Sequence, residues 1–267
     1  MILRTMISKT LRMARMIVLA SFALSSAAWA ATCSNASLSG TYGFLHGGTN
    51  SAGAPAAGLT QVTFDSTTGT YTGEDTTSLD GVIAILPITA TYAVNSNCTV
   101  TARVRVGGSP PTNVSFVVTS TGFLFLFQKP GATSSGFGVK QGSAVCTNDR
   151  IQGSFGFETT GVFLAGAPVT GPVAFIGELK LTVNPSGEGV ISGRLAGSED
   201  GTILEFAEEP VTGSYTIDRN CRGTASITAQ GLPEMHFSLV VVDGGKEMLA
   251  IETDGGTVVD GTLVKRD

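Results

Sequence analysis

Cys33–Phe44 reads CSNASLSGTYGF, and Cys146–Phe157 reads CTNDRIQGSFGF. Cys33, Asn35, Leu38, Gly40, Tyr42, Gly43 and Phe44 recur 113 positions on as Cys146, Asn148, Ile151, Gly153, Phe155, Gly156 and Phe157. A second block repeats as well. Tyr92, Val94, Asn95, Asn97 and Cys98 face Tyr215, Ile217, Asp218, Asn220 and Cys221. The halves close alike, with GFGVKQ from Gly136 and GTLVKR from Gly261. Matches at this many fixed spacings mark a tandem duplication, and the period far exceeds the roughly 20–50 residues of a solenoid repeat. Each copy is long enough to own a core. The expected organisation is therefore two homologous domains, residues 31–142 and 143–267. The joint KQGSAVC, with Gly142 and Ser143 as its hinge, is short enough to hold them in contact.

Within a copy, short apolar-alternating segments are separated by turn residues every 8–12 positions. In the first copy these are GTYGFLH, LTQVTFD, GTYTGEDT, ITATYAVN, TVTARVRV, NVSFVVT, GFLFLFQ and SGFGVKQ. Val100, Ala102, Val104 and Val106 share one face of their strand, with Thr101, Arg103 and Arg105 on the other. The fold class expected is all-β: two tandem antiparallel domains, each a small eight-stranded up-and-down barrel, with a β-sandwich as the alternative. An eight-stranded barrel is filled by its own side chains or holds one small ligand.

The first 30 residues read as a secretory signal helix. Arg4, Lys9, Arg12 and Arg15 precede an apolar run to Leu24, and Ala28-Trp29-Ala30 supplies the small-residue exit. Cleavage after Ala30 predicts a secreted or periplasmic protein with no membrane span, and the run is short for a spanning helix of about 20 residues. The four cysteines fall two per copy. In an oxidising compartment an even, repeat-matched count predicts disulfides, and the duplication favours Cys33–Cys98 and Cys146–Cys221. No C-x₂₋₄-C pair suggests zinc.

The blocks C-x₄-[LI]-x-G-x-[YF]-G-F and Y-x-[VI]-[ND]-x-N-C resemble those of uncharacterised secreted bacterial proteins with one or two small disulfide-linked β domains. The opening cysteine followed by an L-x-G-x-aromatic strand also resembles avidin-type barrels, and that likeness implies a calycin-like barrel. Avidins line their biotin site with tryptophan. The single tryptophan of this chain, Trp29, lies in the signal, so the resemblance assigns no biotin-binding residue.

Charge and chemistry narrow the function. Without the four basic residues of the signal the chain keeps 12 basic and 21 acidic residues, a net of −9, which disfavours nucleic acid. Residues 31–142 are balanced, with Lys129 among their bases, and the excess acid lies in 143–267. His46 and His236 read as strand-end or barrel-wall residues, with no nucleophile beside either. Glu199-Asp200-Gly201, Asp243-Gly244-Gly245 and Asp254-Gly255-Gly256 are turn signals first, and Glu208-Glu209-Pro210 a loop. No catalytic residue, metal or cofactor is expected. Tyr42, Phe44, Phe64, Tyr92, Phe155, Phe157 and Tyr215 are the candidate ligand-facing or core aromatics. GFLFLF is apolar on both faces, so Phe123, Phe125 and Phe127 are the candidate interface, either between the domains or in self-association. The function expected is a non-enzymatic binder of a small apolar ligand or an extracellular interaction module. The alternatives are a structural surface or matrix protein assembling through that strand and, last, a carbohydrate-active enzyme.

Overall fold

The computed structural model describes residues 32–128, 130–142, 145–167, 170–204, 211–229 and 232–266. The signal segment and its cleavage point, Lys129, Ser143 of the hinge and the Glu208-Glu209-Pro210 loop lie outside them. Cys33–Asp267 forms one compact unit.

That unit holds two closed barrels. The first is a meander of β1 (Gly40–Thr49), β2 (Pro55–Asp65), β3 (Thr70–Leu79), β4 (Val82–Val94), β5 (Thr99–Val106), β6 (Thr112–Val118), β7 (Gly122–Gln128) and β8 (Thr133–Lys140). Each strand pairs antiparallel with the next, and β8 returns to β1, with Phe44 opposite Gly138. The second comprises β9 (Gly153–Phe163), β10 (Gly171–Val183), β11 (Gly189–Glu199), β12 (Thr202–Leu204), β13 (Val211–Ile217), β14 (Arg222–Thr228), β15 (Met235–Val242), β16 (Glu247–Glu252) and β17 (Thr257–Lys265). Here β12 and β13 both pair along β11, as two pieces of one wall position, and β17 closes on β9. The sandwich alternative is excluded, because β8 closes on β1 in the first barrel, and β17–β9 and β10–β11 pairing closes the second.

The doubled phrase builds the same device in both barrels. Asn35–Ser37 and Asn148–Ile151 form short 3-10 turns. The carboxamide oxygen of Asn35 accepts from Val94 N at 2.9 Å, and that of Asn148 accepts from Ile217 N at 2.8 Å. Leu38 and Ile151 are then fully buried as plugs at the barrel end. Tyr92 Oη donates to the Leu38 carbonyl, and Tyr215 Oη to that of Asn148. Disulfides Cys33–Cys98 and Cys146–Cys221 join each turn to the hairpin after β4 or β13. The pairing expected from the duplication is the one present.

The barrels meet through an apolar seam. Leu45, Ala57 and Leu59 of β1 and β2 pack on Val240, Val242, Leu249, Ile251 and Val258 of β15, β16 and β17. Gly43 is required there, since a Cβ would stand 2.7 Å from the Val240 and Val242 methyls. Gln141, just past β8, donates its side-chain N–H to the Val241 carbonyl, and Arg222 pairs with Glu74 across the seam. Phe123, Phe125 and Phe127, the expected interface, take no part. Strand alternation turns these rings into the first barrel, where Phe123 and Phe125 are buried. The strand's outward face is Leu124 and Leu126, both exposed.

Candidate functional site

The two lumens are filled differently, and the difference follows from sequence. In the first barrel Tyr42, Phe44, Phe64, Tyr71, Tyr92, Phe116, Phe123 and Phe125 all point inward and are buried. Phe64 lies 4.7–5.3 Å, centroid to centroid, from Tyr71, Tyr92 and Tyr42, and Phe44 lies 4.5 Å from Phe123. Such edge-on and tilted packing is the favoured geometry for rings, and it fills the interior. At one end His46 Nε2 lies 3.3 Å from Asp75 Oδ1, which also accepts from Thr60 Oγ1 at 2.7 Å. Burial opposes charge on both partners, yet their mutual attraction wins. His46 is held above its ordinary value and Asp75 below it. Asp260, reaching over from β17, adds to the effect on His46, and its own carboxyl is pushed up to about 6, chiefly by burial. With Phe125 and Phe127 packed near the imidazole ring, this cluster is a satisfied structural group.

Strand register fixes which residues of the second barrel correspond. Phe44 pairs with Gly138, which pairs with Phe123; Phe157 pairs with Leu263, which pairs with Met248. Met248 therefore stands for Phe123, Ala250 for Phe125 and Glu252 for Phe127. By the same ladders Leu239 stands for Phe116, Leu181 for Phe64 and Ile191 for Tyr71. Six inward rings have become smaller or aliphatic groups. Phe175 at the position of Gly58, and Phe237 at that of Val114, restore only part of the lost volume.

The result is a cavity inside the second barrel. It spans about 50 Å³ counted as space open to the centre of a water-sized sphere, room for several such spheres. Its walls include Phe157, Leu179, Ile191, Tyr215, Met248 and Ala250, and its polar side chains are few, chiefly Thr159 and Glu252. Glu252 is 3% exposed. Its carboxyl has no hydrogen-bond partner among the described residues, and its pKa is pushed up to about 8 by burial, with the nearby Asp254 charge adding to the rise. Burial thus favours the protonated form of Glu252 near neutral pH, in which it offers one O–H donor and a free acceptor to the cavity. Asp254 is itself held outside the barrel by the backbone N–H and Nδ1 of His236, at 2.7 and 2.9 Å.

Of the seven candidate aromatics, Phe157 and Tyr215 line this cavity. Phe155 is fully buried core beside it, and Tyr42, Phe44, Phe64 and Tyr92 belong to the packed first lumen. His236 is an exposed clasp between β15 and the β16–β17 turn. Glu252 and Thr159 were missed by motif reading. The available signal was an acid at an inward strand position where the other copy carries phenylalanine. No cluster of histidine, cysteine and acids suited to a metal occurs among the described residues.

The sequence matches no protein-family model, and no curated protein matches it. Among solved structures, a protein of unknown function from the DUF3598 family of Nostoc punctiforme is similar over 86% of this chain and 97% of its own, at 9% identity and a TM-score of 0.28. A β-barrel-like protein of domain of unknown function DUF1849 from Brucella abortus is similar over 86% of this chain and 98% of its own, at 13% identity and a TM-score of 0.20. At these TM-scores neither neighbour carries an argument about this chain, whose architecture rests on its own strand pairing.

Proposed function

We propose that this chain is an extracytoplasmic binding protein in which the second barrel holds one small, mainly apolar molecule and the first barrel is a filled scaffold. The carrying observation is the register-matched loss of six lumen rings around a buried Glu252 whose carboxyl has no hydrogen-bond partner among the described residues. Apolar walls with a few convergent polar groups are the ordinary make-up of a small-molecule site. The ligand offers an apolar body to Met248 and Ala250 and a hydrogen-bonding group to the Glu252 carboxyl. Secretion is part of the proposal, supported by the basic-apolar-small opening and by two disulfides, which persist in oxidising compartments.

The test uses the repeat itself. Ala250→Phe puts back the ring that the first barrel carries as Phe125. Cyclohexanol titrated into methyl-labelled protein should shift Met248, Ile191 and Leu179 signals while leaving first-barrel methyls unmoved, and Ala250→Phe should abolish the response. Shifts spread over both barrels, or unchanged by Ala250→Phe, would overturn the proposal.

A further inference from the structure

The seam between the barrels is heterologous: each copy contributes a different face. The first barrel receives with β1 and β2, and the second presents β15, β16 and β17. A contact of this kind leaves one unused presenting face and one unused receiving face on the molecule. Register identifies both. Val117, Leu124 and Leu126 occupy the positions of Val240, Leu249 and Ile251 in the presenting face. They are 50%, 57% and 51% exposed. In the receiving face of the second barrel, Gly156 stands for Gly43 and Ile176 for Leu59, with Val264 alongside at the position of Val139.

Two features of these faces fit each other. Gly43 exists to admit the Val240 and Val242 methyls, whereas a Cβ on Gly156 would meet nothing within 4 Å. The niche is thus kept and empty, in a shallow hollow bordered by Glu158, Ile176, Glu178 and Val264. The faces also differ in charge. Glu158 replaces Leu45 on the receiving side, while exposed Arg103 flanks the presenting side on β5, opposite Asn113 of β6. Glu178 is already shared by Arg194 and Arg266, so Glu158 is the acid left for an incoming arginine.

We propose that a second copy of this chain docks head to tail, seating Val117, Leu124 and Leu126 of its first barrel on the Gly156–Ile176–Val264 face of the second barrel. The contact repeats the internal seam between molecules, and repeated head to tail it extends into larger assemblies of barrels. With Glu158 in place of a leucine, it is weaker than the internal seam and reversible.

Sedimentation velocity on the secreted chain, from micromolar to millimolar concentration, should show a rising series of oligomers. Leu124→Asp with Leu126→Asp destroys only the presenting face, and Ile176→Asp with Gly156→Val only the receiving face. Each double variant alone should stay monomeric, with its dissociation constant raised at least about tenfold. Mixed together, they should form one-to-one dimers and nothing larger, because each retains the face the other lacks. All four positions lie on outward faces, and unchanged circular dichroism and melting would confirm folding. A parent monomeric throughout, or a mixture that fails to dimerise, would overturn the proposal. So would a parent that stops at a dimer.

Discussion

Glu252 shows how one side chain sets a pH response. Its carboxyl titrates at about 8 in the folded chain against an ordinary 4.5. Between these values the unfolded chain releases a proton that the folded chain keeps, so stability falls as pH rises from 4.5 to 8 and levels above that. The raised value reflects the cost of placing a carboxylate in the cavity, where no basic side chain among the described residues offsets it. Glu252→Gln preserves shape and hydrogen bonding but cannot ionise. Its melting temperature should match the parent near pH 4.5 and exceed it by several degrees at pH 8, a difference of a few kcal/mol. Parallel melting curves across that range would show that Glu252 titrates normally. On the proposed binding role, the same carboxyl is the group that would favour a hydrogen-bonding ligand over a pure hydrocarbon.

At the level of elements, the two 3-10 turns explain why the pattern of CSNASLSGTYGF recurs as CTNDRIQGSFGF. Each turn delivers an asparagine to a backbone N–H at the end of a wall strand, a buried leucine or isoleucine to the barrel end, and a cysteine to a disulfide. The side-chain oxygen is the partner of Val94 N in one copy and Ile217 N in the other. Asn35→Ala and Asn148→Ala should each cost about 1–3 kcal/mol, the penalty of stranding a part-buried donor. Urea midpoints of the two variants should drop by similar amounts. A negligible drop in both would mean that water replaces the asparagine. Closing loops of 65 and 75 residues, the disulfides add about 4 kcal/mol each in the chain-entropy account.

At the level of the whole molecule, the seam decides whether the barrels behave as one. β16 is apolar on both faces because Met248 and Ala250 face the lumen while Leu249 and Ile251 face the first barrel. Burial on both sides couples the barrels, and a single cooperative transition is expected of the parent. Gly43→Val places a side chain where the Val240 and Val242 methyls already lie, without touching either lumen. Calorimetry of this variant should resolve two transitions, with both barrels still folded at room temperature. One sharp transition at the parent temperature would show that the seam tolerates the added bulk and does not set cooperativity.

The sequence alone determined the duplication, the eight strands of the first copy, the all-β class with a barrel favoured over a sandwich, and the disulfide pairings that the duplication favours. These rest on local periodicity, turn chemistry and repeat spacing, all of which are written along the chain. It also held, unread, the replacement of Phe125 and Phe127 by Ala250 and Glu252. That correspondence needs strand register, because loop lengths between the copies differ and shift the alignment. Only the tertiary structure decided which two-faced apolar strand docks. GFLFLF reads as buried on two sides, yet it is β16, carrying EMLAIE, that meets the first barrel, while Leu124 and Leu126 stay exposed. Alternation tells which residues share a face, but whether that face meets solvent or protein depends on contacts distant in sequence. For the same reason the cavity was invisible beforehand, since empty volume is set by the sum of side chains converging from all eight wall positions and not by any one strand.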